Sequence, residues 1–296
     1  MHKRLGHKPL ALVTGASSGI GLEFARLLSE AGCELVLVSN DAEKLQAAAD
    51  ELQANSICMD LSERDSAEKL FDWCNGLGLE VDLLVNNAGM FFWDKMNEER
   101  LEDAEELLRL NGLTPMKLCV LFGEQMKSRG CGYIINVASS AAQLPFPGLG
   151  CYSGSKALLK NYSKSLHYEY RPFGVRVTAL CPAAVATELY GLRKDLLEFG
   201  TRIGLIQKPR RTALKALKAV IRGRKVCYPA FMCYYLPVLL WLLPSCVIDL
   251  IWRKTRGGDL AGPPAKRAQR QAEEPRSRQS TLRCLSCTPR TSVRNA

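Results

Sequence analysis

Four apolar residues, Leu10–Val13, run without interruption into Thr14-Gly15-Ala16-Ser17-Ser18-Gly19-Ile20-Gly21, and a helical pattern begins at once, from Ile20 to Ala31. A strand that enters a helix through a glycine-rich turn leaves few folds open. Gly15 permits a tight turn, Gly19 lets backbone approach a pyrophosphate, and Gly21 permits close helix packing, while the helix N-terminus supplies N–H donors and the positive end of a dipole. Glycines alone are a weak signal; their position between strand and helix strengthens it.

The alternation continues along the chain. Further apolar runs at Glu34–Val38, Val81–Val85, Tyr133–Val137 and Val175–Leu180 are nearly unbroken, as strands buried on both faces should be. Between them lie helical patterns at Ala42–Gln53, Arg64–Leu77, Leu101–Met126 and Tyr152–Tyr170. This order predicts an α/β fold, a single doubly wound Rossmann-type domain with a parallel sheet and helices on both faces. Ligands of such a sheet sit outside the carboxyl ends of the strands.

Composition removes competing chemistries. The chain has 296 residues, and its three histidines, His2, His7 and His167, are too few for a His-based metal site or a Ser-His-Asp scheme, so no metal is expected. Twelve cysteines lie mostly inside apolar runs, which reads as core residues in a reducing compartment rather than a disulfide framework. The CxxC at Cys284 and Cys287 has no second ligand pair. Met1–Lys8 is basic and polar and is followed by only a few apolar residues, so it reads as neither a signal peptide nor an anchor. The expected location is cytoplasmic or peripheral to a membrane facing the cytoplasm, not secreted.

Five further features follow in order. Asp60-Leu61 comes after the third strand, Asn86-Asn87-Ala88-Gly89 ends the fourth, Asn111 lies in the next long helix, Ser139 ends the fifth strand, and Tyr152 with Lys156 forms YxxxK. With the TGxxxGxG turn, these resemble the short-chain dehydrogenase/reductase family over about residues 9 to 230. Ser139 stands 13 residues before Tyr152, the family spacing, and ranks above its neighbour Ser140. The resemblance implies NAD(P)(H)-dependent interconversion of a carbonyl and a secondary alcohol, with Asn111, Ser139, Tyr152 and Lys156 catalytic. It places the cofactor against Gly15, Ser17, Ser18, Gly19, Ile20, Gly21, Ser39, Asn40, Asp60, Leu61, Asn87, Ala88, Gly89, Tyr152, Lys156, Pro182, Val185 and Thr187.

The chemistry of these residue types agrees. Tyr152 and Lys156, four residues apart, share one helix face. A nearby ammonium favours phenolate, which brings a tyrosine proton closer to neutral exchange. A serine at the strand end can hydrogen-bond a substrate oxygen as charge develops on it. By the family pattern, Asn111 kinks its helix and holds a water linking Lys156 to solvent.

Two positions depart from the pattern or leave it open. The family's PGxxxT reads Pro182-Ala183-Ala184-Val185-Ala186-Thr187 here, and Ala183 would weaken cofactor binding if it needed positive φ. At the end of the second strand, Ser39 and Asn40 carry neither the acidic residue that marks NAD enzymes nor the arginine common in NADP enzymes, and the balance leans to NADP(H). Asp41 reads as the cap of the helix that starts at Ala42.

The C-terminal part divides in two. Residues 226–252 are strongly apolar with one charge, Asp249, and basic flanks; Pro229, Pro237 and Pro244 argue against a straight span of roughly 20 residues. An interfacial hairpin that touches a membrane and helps wall an apolar pocket comes first, then a buried or oligomer-forming segment, then a true span. Residues 253–296 read as a disordered tail with 11 Lys and Arg against 3 Asp and Glu, so most of the chain's net charge of +10 belongs to it. Residues 1–225 then form the dinucleotide-binding domain.

The leading expectation is an oxidoreductase acting on an apolar carbonyl or alcohol substrate. A cofactor-binding scaffold without turnover and an interaction role for the basic tail are the alternatives, with nucleic acid an unlikely partner. The family commonly pairs through its two long helices, here near Leu101–Met126 and Tyr152–Tyr170, so a homo-oligomer is expected.

Overall fold

A computed structural model describes residues 7–94, 96–144, 146–186, 206–231, 233, 235 and 242–255. Seven strands form one parallel sheet: β1 (Leu10–Thr14), β2 (Glu34–Ser39), β3 (Asn55–Cys58), β4 (Leu83–Asn86), β5 (Gly132–Val137), β6 (Val175–Leu180) and β7 (Val226–Cys227). Their order is β3-β2-β1-β4-β5-β6-β7. The chain winds outward from β1 to β3 and then returns to place β4 on the other side of β1. That reversal opens a crevice beyond the carboxyl ends of β1 and β4.

Alternation within each strand sorts side chains between two cores. Ala11, Val13, Leu35 and Leu37 pack on one face against Phe24, Ala25 and Leu28 of α1 (Gly19–Glu30), Leu45 and Ala48 of α2 (Ala42–Leu52) and Ala213, Ala216 and Val220 of α7 (Pro209–Ile221). Leu10, Leu12, Val36 and Val38 point the other way. They meet Leu70 and Cys74 of α3 (Ser66–Gly76), Leu118, Phe122 and Met126 of α5 (Thr114–Ser128) and Leu166 and Tyr170 of α6 (Gly150–Tyr170). Both faces are therefore dry, which is why these strands read as continuous apolar runs.

Three details differ from the sequence expectation. β3 was not legible as an apolar run, because Asn55-Ser56-Ile57-Cys58 is a half-exposed edge strand. The Leu101–Met126 pattern is two helices, α4 (Leu101–Leu108) and α5, joined by a π turn at Arg109–Leu113 with Asn111 buried inside it. The boundary at 226 moves, because Val226 and Cys227 pair with Ala179 and Leu180 and extend the sheet. The apolar segment is helical at α8 (Ser245–Thr255), which runs past 252. No helix among the described residues is long and apolar enough to cross a membrane. Thr187, most of the Glu188–Lys208 loop and the tail from 256 lie outside the described residues.

Candidate active site

The crevice is built from the first turn outward. The Thr14 hydroxyl donates to Val85 O at 3.3 Å and accepts from the Asn87 and Ala88 amides at 2.9 and 3.0 Å, so β1 and the end of β4 are tied where both stop. Asn87 Nδ2 donates to the carbonyls of Thr14 and Gly15 at 3.0 and 3.1 Å. Gly15 has φ +63°, and a Cβ there would come within 2.9 Å of Ala88 Cα. A Cβ on Gly21 would stand 2.0 Å from Gly15 O, so the turn closes onto its own helix only with glycine at both places.

Next to this turn, Ser17 and Ser39 join hydroxyls at 2.8 Å, and the Asp41 amide donates to Ser39 Oγ at 3.2 Å. Asp41 Oδ1 accepts from the Lys44 amide at 3.0 Å, capping α2 as expected. Asp60 Oδ1 accepts from the Ser62 amide and hydroxyl at 2.9 and 2.7 Å, which fixes the loop after β3. Leu61 O accepts from Thr114 Oγ1 at 2.9 Å.

On the other side of the crevice, α6 brings Tyr152 and Lys156 inward, 3 % and 4 % exposed. Lys156 Nζ lies 5.9 Å from the Tyr152 ring centre and donates to Val137 O at 3.0 Å. Burial pushes the Lys156 ammonium down to about 8, with only a weak opposing pull from Cys181. Ser139 Oγ accepts from the Ala141 amide at 3.1 Å, which leaves its O–H to donate into the crevice. The Phe91 and Tyr152 rings meet nearly perpendicular, 4.9 Å between centres. Asn86 Nδ2 donates to Asn136 Oδ1 and Asn136 Nδ2 to Ser163 Oγ, both at 2.8 Å, so β4, β5 and α6 are held in one buried polar chain.

Asn111 does not line the crevice but stands behind it. Its amide exchanges two hydrogen bonds with the Met90 backbone at 2.9 Å and donates to Ser155 Oγ at 3.3 Å. A Cβ on Gly89 would fall 2.8 Å from Asn111 Oδ1 and 3.3 Å from Lys156 Nζ, so glycine keeps the space between them clear.

These groups surround a cleft of about 470 Å³, within the range of small-molecule and cofactor sites. Gly15, Ser17, Ser18, Gly19, Ile20, Ser39, Asn40, Asp60, Leu61, Asn87, Ala88, Gly89, Ser139, Tyr152, Lys156, Pro182 and Val185 line it; Gly21 packs beneath the turn. Ala183 is buried, and Gln53 is the one non-glycine residue with positive φ among the described residues, so alanine is not strained there. Met59, Met90, Leu110, Val137 and Ala138 also line the cleft and were not picked out from the sequence. Met59, Met90, Val137 and Ala138 adjoin recognised motifs, a signal that could have found them. Leu110 is delivered by the π turn, which only the fold reveals.

The donor set fits a dinucleotide. Two glycines stand where side chains would close the turn, a helix N-terminus opens onto the cleft, and Ser18 caps α1 without a side-chain hydrogen bond that would occupy its amides. Fold and cleft together define a dinucleotide-binding α/β protein of the doubly wound class. The family model for short chain dehydrogenases matches residues 9–195. The chain belongs to that family of oxidoreductases.

It is 33% identical over 201 residues to human very-long-chain 3-oxoacyl-CoA reductase, a match covering 64% of this chain and 63% of the relative. To mouse 17-beta-hydroxysteroid dehydrogenase type 3 it is 34% identical over 185 residues, 60% and 61% of the two chains. The matches thus span somewhat over three fifths of these relatives. A short-chain dehydrogenase from Sphingobium yanoikuyae in complex with NADPH superposes with TM-score 0.68 at 25% identity, over 87% of this chain and 99% of that one. A putative NAD(P)-dependent gluconate 5-dehydrogenase from Beutenbergia cavernae with bound NADP gives 0.69 at 26% identity, over 77% and 97%.

Proposed function

We propose that the protein reduces a carbonyl on an apolar substrate, or oxidises the matching secondary alcohol, with NADP(H) preferred over NAD(H). The convergence of Ser139, Tyr152 and Lys156 on one cleft with the glycine turn carries this reading. The bound nicotinamide would supply the hydride to the carbonyl carbon. Tyr152 Oη would give its proton to the carbonyl oxygen, and Ser139 Oγ would hydrogen-bond that oxygen as it becomes negative. Lys156, held by Val137 O, would stabilise the phenolate left behind. Asn111 fixes the Met90 backbone and borders the clear space beside Lys156, where the water expected from the family would return the proton.

Ser17, Ser39 and Asn40 meet where the adenosine ribose would lie, and none is acidic, which supports tolerance of a 2′-phosphate. The two curated relatives, by name a 3-oxoacyl-CoA reductase and a hydroxysteroid dehydrogenase, support an apolar substrate. Exposed Phe231, Tyr235, Leu242 and Leu250 support contact of the C-terminal segment with a membrane surface. Exposed Leu108 and Leu113 beside the α4–α5 junction, Val120 on α5 and Leu158 on α6 support pairing of two copies through these helices. A panel of ketones and keto esters with NADPH and NADH, followed by nicotinamide absorbance, tests the reading. Turnover with higher kcat/KM for NADPH is expected. Absence of turnover across the panel contradicts the activity, and a preference for NADH contradicts the cofactor choice.

A further inference from the structure

A helix fixes only the start of a tyrosine side chain. Rotation about Cα–Cβ swings the hydroxyl through a wide arc, so a tyrosine that passes a proton to a bound carbonyl must be held by its neighbours. Misplacement by about 1 Å can cost about a hundredfold in rate.

For Tyr152 the first such neighbour comes from the loop after β4. Met90 lines the cleft, and the next residue, Phe91, lies against Tyr152 with ring centres 4.9 Å apart and planes at 82°. That distance and angle fall in the range aromatic pairs favour. Lys156 Nζ stands over the same tyrosine ring, 5.9 Å from its centre. The main chain of Tyr152 is held as well. Ser155 Oγ donates to Tyr152 O at 2.7 Å and accepts from Asn111 Nδ2 at 3.3 Å, and Ser155 has no exposed surface.

Both lines of contact lead back to one amide. Asn111 Nδ2 also donates to Met90 O, and Asn111 Oδ1 accepts from the Met90 amide, each at 2.9 Å. The residue before Phe91 is thus pinned at its N–H and its C=O by the side chain that reaches Ser155. Asn111 is itself buried in the π turn between α4 and α5, so the anchor sits in packed protein. Neither Phe91 nor Ser155 is among the residues that line the cleft, so each reaches the reaction through Tyr152 rather than by touching substrate.

We propose that Phe91 and Ser155 are positioning residues, two arms of a clamp closed on Asn111 that fixes where the Tyr152 hydroxyl meets the carbonyl oxygen. Phe91 holds the ring and Ser155 holds the backbone from which the ring extends. The proposal rests on the carbonyl-reductase reading and deepens it.

The test combines kcat and KM for ketone reduction with the fluorine NMR signal of Tyr152 in the full chain labelled with 3-fluorotyrosine, assigned by its loss in Tyr152→Phe. Phe91→Leu removes the ring and keeps an apolar side chain; Ser155→Ala removes the hydroxyl and adds no bulk. In Phe91→Leu kcat should fall about tenfold or more, with KM and the Kd for NADPH within about threefold of wild type. Phe91→Met, a second side chain without a ring, should behave alike, and Phe91→Tyr, which restores a ring, should recover kcat to within about threefold of wild type. Ser155→Ala should lower kcat about threefold or more. The Tyr152 signal should move toward that of free 3-fluorotyrosine in Phe91→Leu, with or without NADPH. An unchanged kcat or an unmoved signal in the ring-free variants, or no recovery in Phe91→Tyr, overturns the role of Phe91. An unchanged kcat in Ser155→Ala overturns that of Ser155, and a loss confined to KM or to NADPH binding contradicts positioning by either residue. A wild type that reduces no ketone counts against the proposed activity, and the fluorine signal then still decides whether Phe91 holds the ring.

Discussion

Lys156 is nearly sealed from solvent, and its hydrogen bond to Val137 O does not offset the desolvation that lowers its pKa to about 8. Below that value the lysine is charged in the folded and unfolded chains alike, and its burial opposes folding. Between about 8 and the usual lysine range the folded protein has shed a proton that the unfolded chain keeps, so stability rises with pH. Lys156→Met removes this dependence. Subtracting the variant's unfolding free energy from that of the wild type should give a difference that grows by about 2 kcal/mol from about pH 7.5 to about pH 9.5. The buried thiols, whose pKa values burial raises, titrate in both proteins and cancel. Urea unfolding at the two pH values measures it, and a constant difference would contradict the buried charge.

At the scale of elements, the β1–α1 turn depends on two glycines for different reasons: φ at Gly15 and close approach at Gly21. Gly21→Ala forces its methyl into Gly15 O and Asn87 Nδ2. It should weaken NADPH binding at least tenfold and lower Tm by about 5 °C, an overpacking penalty of about 2 kcal/mol. Gly76→Ala at the end of α3, where a Cβ meets nothing, is the control and should leave both unchanged. Fluorescence titration and a thermal melt read the two quantities. The central strands and the five helical patterns between them could be read from sequence because burial on both faces writes unbroken apolar runs and one-face burial writes a 3.6-residue period. β3 and β7 could not. One is a polar edge strand, and the other is two residues at the head of a longer apolar run. The cleft residues legible in advance sit in the glycine turn and the start of α1, at the carboxyl ends of the strands and in the loops that leave them, or in the YxxxK helix, where local spacing fixes geometry. Leu110 enters from a π turn, and only tertiary packing brings it to the cleft.

For the molecule as a whole, charge and apolar surface are unevenly placed. Residues 253–296 carry a net +8 of the total +10, so the part that forms the sheet and cleft is nearly neutral. Because β7 belongs to the sheet, a truncation meant to remove the apolar segment must begin after Tyr228 rather than at 226. The full chain should cosediment with anionic vesicles and be released by salt, while the chain ending at Tyr228 should stay in solution. Equal sedimentation of the two would exclude the segment as the membrane contact. The account turns on proton donation by Tyr152 to a carbonyl oxygen, and Tyr152→Phe tests this most directly when cofactor binding and ketone reduction are measured on the same preparation. NADPH affinity within about threefold of wild type with kcat reduced at least a thousandfold is the predicted result, near the upper part of what general acid catalysis supplies. Reduction at a tenth of the wild-type rate or faster would contradict it.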